Sequence, residues 1–83
     1  MTMAARNGSV NTVIESVRRV GKLDDLATAE MFLTFPNLGS YSFDPYTFSR
    51  LFDDFWLNAK KGSKVTVFVT EGSIYGVTWS SLM

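Results

Sequence analysis

Residues 44–60 read DPYTFSRLFDDFWLNAK, and the rest of the chain is placed against this stretch. Asp44 accepts hydrogen bonds from the free N–H groups of a first helical turn, and Pro45 directly after it loses no bond there. The stretch therefore predicts a helix. Phe48, Leu51, Phe52, Phe55, Trp56 and Ala59 fall within roughly a 140° arc, the width of a core-facing stripe on a surface helix. Arg50, Asp53 and Asp54 lie opposite. Tyr46 and Leu57 share that polar side and point to a second contact surface. Residues 60–64 stop the helix: Lys60, Lys61 and Lys64 complement its C-terminus, and Gly62 suits a left-handed cap.

A β-hairpin follows. Residues 65–70 and 73–80 flank Glu71 and Gly72, a two-residue turn whose glycine takes positive φ. With that register Val69 faces Ile74, Val67 faces Gly76 and Val65 faces Thr78, while Phe68, Tyr75, Val77 and Trp79 gather on the other side. Both faces are apolar. A lone two-stranded ribbon is not stable, so each face needs a cover: a helix on each side, or an outside partner on the face of Phe68, Tyr75 and Trp79, whose large aromatics suit an interface.

Toward the N-terminus, residues 1–8 carry no pattern and read as a flexible tail, leaving 9–83 as one small domain. A helix is expected from Ser9 or Thr12, the latter forming a capping box with Glu15. Val10, Val13, Ile14, Val17 and Val20 recur at three- and four-residue steps, and Gly21 is its terminator. Residues 22–35 fit two templates: Asp24 and Asp25 suit a helix start, while Met31, Leu33 and Phe35 alternating with Glu30, Phe32 and Thr34 suit a half-buried strand. The strand is the favoured reading. Pro36 to Gly39 form a turn, and residues 40–43 return as a short partner. The expected fold is α+β: an N-terminal helix, a middle strand, a central aromatic helix and a C-terminal antiparallel hairpin.

At 83 residues the chain buries only roughly 60–65% of its unfolded surface, so stability is marginal. It has no cysteine and no histidine. That removes disulfides, a thiolate nucleophile, the usual neutral-pH proton shuttle and ordinary zinc sites, and it favours a cytoplasmic home. Hydrophobic residues at 46% exclude disorder, and no apolar run has the length of a membrane span or a signal peptide. A small core without staples is expected to gain stability as a homo-oligomer.

The case for catalysis is poor. Asp53 and Asp54 are helix neighbours that point about 100° apart, and neither a nucleophile elbow nor a phosphate-cradling glycine loop occurs. No enzyme activity, cofactor or metal is expected. The eight positive and eight negative charges cancel, which argues against non-specific nucleic-acid binding. The layout says more than the sum: Arg18, Arg19 and Lys22 form one basic cluster, and Lys60, Lys61 and Lys64 another. Joined in space beside aromatics, they would contact phosphates; taken singly, each compensates a helix C-terminus. Residues 62–76, GSKVTVFVTEGSIYG, resemble the opening strands of Sm-like RNA-binding proteins, a likeness confined to that segment from which no function is carried.

The function expected first is non-catalytic binding to another protein, as a small regulator, inhibitor or adaptor of the kind bacteria and phages encode. Phe68, Tyr75, Trp79, Tyr46 and Leu57 form its interface. The alternative is a winged-helix-like nucleic-acid binder using the two basic clusters, against which Asp53, Asp54 and Glu71 stand as phosphate-repelling groups.

Overall fold

A computed structural model describes residues 7–25, 27–43, 45–46 and 49–80. In chain order the elements are β1 (Asn7–Val13), β2 (Ser16–Val20), β3 (Glu30–Phe35), β4 (Gly39–Phe43), α1 (Ser49–Asn58), β5 (Lys64–Thr70) and β6 (Ser73–Trp79). They form two antiparallel three-stranded sheets, β1-β5-β6 and β2-β3-β4. With 53% of the described residues in strands and 14% in the helix, the fold is mostly β, and the expected α+β arrangement is corrected.

The largest correction is at the N-terminus, where two strands replace the expected helix. Asn7 and Gly8 already pair with Thr70 and Val69, so the expected tail is shortened, and residues 1–6 lie outside the described residues. Ile14 exchanges hydrogen bonds with the segment before β5, donating to the Ser63 carbonyl at 3.0 Å and accepting from the Gly62 N–H at 2.8 Å. Its neighbour Glu15 donates instead to the Thr34 carbonyl of β3 at 2.7 Å. Residues 7–20 are thus one bent strand, its first half in one sheet and its second half in the other.

That bend explains the misreading. Val10 and Thr12 are half-buried and Ile14 fully buried, with strand alternation; after the bend the next inward apolar residue is Val17. The positions 10, 14 and 17 imitate helical spacing, although each segment has a period of two. Val13 and Val20, counted in the expected helical stripe, are more than a third exposed. The run is also β-branched, which disfavours a helix and suits a pleated surface.

The middle segment forms β3, with Met31, Leu33 and Phe35 buried and Phe32 and Thr34 on the opposite face. Gly21 follows β2 with φ +82°, and a Cβ there would collide with the Thr28 carbonyl oxygen, so only glycine lets Thr28 approach the end of β2.

The helix is shorter than residues 44–60. Pro45 and Tyr46 precede it in a turn, and Asp44, Thr47 and Phe48, part of its expected start, lie outside the described residues. Phe52, Phe55 and the following Ala59 are buried, and Arg50, Asp53 and Asp54 are exposed. Phe43 of β4 packs edge-on against Phe52, with ring centroids 5.7 Å apart, and at a tilt of 46° against Phe55 at 5.2 Å. On the other side Phe55 stacks on Trp79 of β6 at 4.0 Å and 13°. Such aromatic pairs add about 0.5–1.5 kcal/mol each beyond simple burial, which suits a ten-residue helix too short to persist alone.

The β5–β6 turn has φ of +50° at Glu71 and +82° at Gly72, the double positive φ of a tight hairpin turn. Beyond it the register differs from the one expected. Val69 faces Ile74, but Phe68 faces Gly76, leaving Tyr75 as an extra residue in a bulge. The one-residue slip exchanges the faces: Val77 and Trp79 turn inward opposite Val67 and Val65, and Gly76 and Thr78 turn outward. One face of the hairpin is therefore core. Val65, Val67, Val69 and Val77 join Ile14, Met31, Leu33, Phe35 and Phe43 in a single cluster, covered by the second sheet and α1 rather than by two helices.

Candidate nucleic-acid interface

The outward face of the β2-β3-β4 sheet is fixed by the strand register. Ser16, Thr34 and Ser40 form one cross-strand row, Arg18, Phe32 and Ser42 the next, and Val20 with Glu30 the third. Phe32 occupies the centre. Its neighbours across β4 are serines, so the ring stands above a surface of small hydroxyls, two of which, Thr34 and Ser40, hydrogen-bond to each other at 3.3 Å. The Arg18 guanidinium carbon lies 5.9 Å from the Phe32 ring centroid, within cation–π range. Glu30 is the acidic group on this face.

Sequence reasoning did not single out Phe32 as a site residue. Its signal was present in the alternation of β3, which puts an aromatic on the same side as Glu30 and Thr34. Arg18 could not be joined to it while the first segment read as a helix.

The first basic cluster is divided by strand alternation. Arg18 faces outward with Phe32, whereas Arg19, paired with Met31, points to the other side of β2 and reaches the end of α1. Its Nε donates to the Trp56 carbonyl at 2.8 Å and its Nη2 to the Ala59 carbonyl at 2.6 Å. The Trp56 carbonyl lies in the last turn of α1 and the Ala59 carbonyl just after it, where helical carbonyls run out of intrahelical partners, and Arg19 supplies both hydrogen bonds and a charge matched to the helix dipole. The contact sets Arg19 beside the start of the second cluster, since Lys60 follows Ala59, while Arg18 stays on the other face of β2. Lys60 and Ser63 close the next turn, with the Ser63 N–H donating to the Lys60 carbonyl at 3.0 Å. Lys22, Lys60, Lys61 and Lys64 are exposed. A winged-helix layout is corrected: the described residues contain one helix, not three before a hairpin.

Of the five aromatic and aliphatic residues expected at a protein interface, the structure brings Phe68 and Tyr75 together, with ring centroids 6.1 Å apart on the outward face of β5 and β6. Trp79 turns inward, stacked on Phe55, and its Nε1 donates to Asp54 Oδ2 at 2.7 Å. Tyr46 and Leu57 are 68% and 70% exposed, before and on α1, and neither lines the cleft beside Phe68 and Tyr75.

No family model, curated protein or solved structure matches this chain. An inhibitor, adaptor or phage-encoded regulator has no support in these comparisons or in the fold, and that part of the sequence reading is withdrawn. Among the described residues there is no metal-binding grouping of three or more histidine, cysteine, aspartate or glutamate residues, and no helix is long and apolar enough to cross a membrane.

Proposed function

We propose that this chain is a non-catalytic domain that binds single-stranded nucleic acid on the outward face of β2, β3 and β4. The observation that supports the reading is Arg18 set over Phe32 in the middle of a sheet face whose other side chains are small hydroxyls, with Val20 and Glu30 confined to the row at one end. A base stacks on an aromatic ring or on a guanidinium plane, and the same guanidinium attracts the adjoining phosphate. Ser16, Ser40 and Ser42 are short enough to leave a flat approach and polar enough to bond sugars and phosphates. Lys22, just beyond β2, adds a cation at the end of that strand.

The architecture adds weight by analogy. With the bent β1–β2 counted as one strand, the spatial order is β4-β3-β2/β1-β5-β6, and along the chain α1 connects β4 to β5. This resembles the partly open five-stranded barrels of the OB type, which offer the face of their second and third strands, here β3 and β4, to oligonucleotides. Fold alone assigns no function, so the reading rests on the Phe32 site. Zero net charge reduces non-specific attraction, and binding here depends on stacking plus few phosphate contacts. Binding to another protein has less behind it, because Trp79 is committed to Phe55 and Asp54. Cytoplasmic residence, suited to a chain without cysteine, belongs to the same reading.

Fluorescence anisotropy with labelled oligothymidylate and oligouridylate, beside a duplex of equal length, tests it. Single strands should bind more tightly than duplex and Phe32→Ala should lose most of the signal. No anisotropy change at low salt removes the proposal.

A further inference from the structure

The outward face of the β1-β5-β6 sheet carries a surface of different chemistry. On the outward face of β1, β5 and β6 the register gives three rows: Asn11, Thr66 and Thr78; Ser9, Phe68 and Gly76; Asn7, Thr70 and Ser73. None of the sixteen charges of the chain falls in these rows; Lys64 lies one row beyond and Glu71 sits in the turn. The bulge places Tyr75, 57% exposed, beside Phe68. Gly76 has no side chain, so the Phe68 ring leans over it, and a cleft of about 490 Å³ opens among Leu51, Phe68, Tyr75, Gly76, Val77 and Thr78.

We infer that this cleft and the rows beside it bind a neutral saccharide. A sugar ring presents an apolar C–H face and a rim of hydroxyls, and the surface has a counterpart for each. Phe68 and Tyr75 offer an aromatic platform with one phenolic hydroxyl. Thr78, Thr66 and Asn11 form a continuous polar row at its side. The Asn11 Oδ1 accepts from Thr66 Oγ1 at 2.7 Å, and the Asn7 Oδ1 accepts from Thr70 Oγ1 at 3.0 Å and from the Glu71 N–H at 2.9 Å. The oxygen of each carboxamide is thus engaged by a neighbour on the same outward face, and its NH2 group is the donor end of the side chain.

Charge selects among occupants. A phosphate-bearing strand needs cations that these rows lack, and an anionic sugar would face the same deficit. An uncharged polyhydroxyl ligand has no such requirement. The cleft volume falls in the range of about 300–1,000 Å³ usual for small-ligand sites. The site is separate from the Phe32 face and does not depend on it.

Nitrogen-15 chemical-shift mapping on the full chain tests the inference. The probes are cellohexaose, laminarihexaose, maltohexaose and N-acetylchitohexaose, with polygalacturonate as anionic control and oligothymidylate as reporter of the Phe32 face. At least one neutral hexaose should move the amides of Thr66, Tyr75 and Thr78. Tyr75→Ala should weaken that binding about tenfold while Tyr75→Phe retains it. Tyr75 is exposed, so loss of binding with an unchanged spectrum elsewhere reports the site and not the fold. The inference is overturned if no neutral hexaose at about 10 mM shifts these amides. It is also overturned if Tyr75→Ala binds as wild type, or if polygalacturonate occupies the cleft equally well. Oligothymidylate shifts at Phe32 and Arg18 report separately on the nucleic-acid proposal.

Discussion

Arg19 and Ala59, forty residues apart in the chain, are joined by a 2.6 Å hydrogen bond from the Arg19 Nη2 to the Ala59 carbonyl. With the companion bond to Trp56 it ties the second half of the bent strand to the end of α1. Arg19→Ala should lower unfolding stability by about 1–2 kcal/mol, from two charge-assisted bonds and the helix dipole. Arg18→Ala should cost at most about 1 kcal/mol, the value of one exposed cation–π contact. Urea unfolding separates the two, and equal losses would show that the helix-end contacts add nothing.

Gly21 and Gly72 have the same φ of +82° and different surroundings. At Gly72 nothing lies within 4 Å of an added Cβ, so Gly72→Ala should cost about 1 kcal/mol of backbone strain. At Gly21 the Cβ would meet the Thr28 carbonyl oxygen, so Gly21→Ala should cost about 2–3 kcal/mol or more. Thermal unfolding of both variants tests the difference; matching melting temperatures would contradict it.

Trp79 is held by stacking on Phe55 and by one hydrogen bond to Asp54. Trp79→Phe keeps a ring against Phe55 and should cost about 1–2 kcal/mol, whereas Trp79→Ala should cost about 3–5 kcal/mol. Small and equal effects from chemical denaturation would mean that the indole is not part of the core.

For the nucleic-acid face, Phe32 and Arg18 should leave different signatures. Phe32→Ala should remove about 1–3 kcal/mol of binding at every salt concentration, because stacking releases no counterions. Arg18→Ala should reduce the slope of log affinity against log salt by about 0.7, the value of one phosphate contact on a single strand. Salt titrations of anisotropy read both, and an unchanged slope in Arg18→Ala would place the guanidinium outside the phosphate path.

Much of the local structure was legible because its signals are local. The alternation of Met31, Leu33 and Phe35 marks β3, Glu71 and Gly72 mark the tight turn, and Phe52 and Phe55, with Ala59 just beyond, mark the buried stripe of α1. The candidate site was legible only in pieces: Arg18 was noted as a cation, and Phe32 fell on the outer side of its strand.

What the chain alone determined is the chemistry ruled out by having no cysteine or histidine, the tight turn, and which side chains are apolar enough to need cover. Tertiary structure decided three things that no window of neighbouring residues contains. The bend at Ile14 and Glu15 is set by hydrogen bonds to Ser63 and Thr34, so valines at helical spacing became two strand segments out of phase. The bulge at Tyr75 is set by pairing with β5, and it moved Trp79 into the core and Thr78 out of it. The meeting of Arg18 with Phe32 follows from pairing β2 against β3. In each case partners distant in sequence fix the register, and a one-residue change of register moves a side chain from one face to the other.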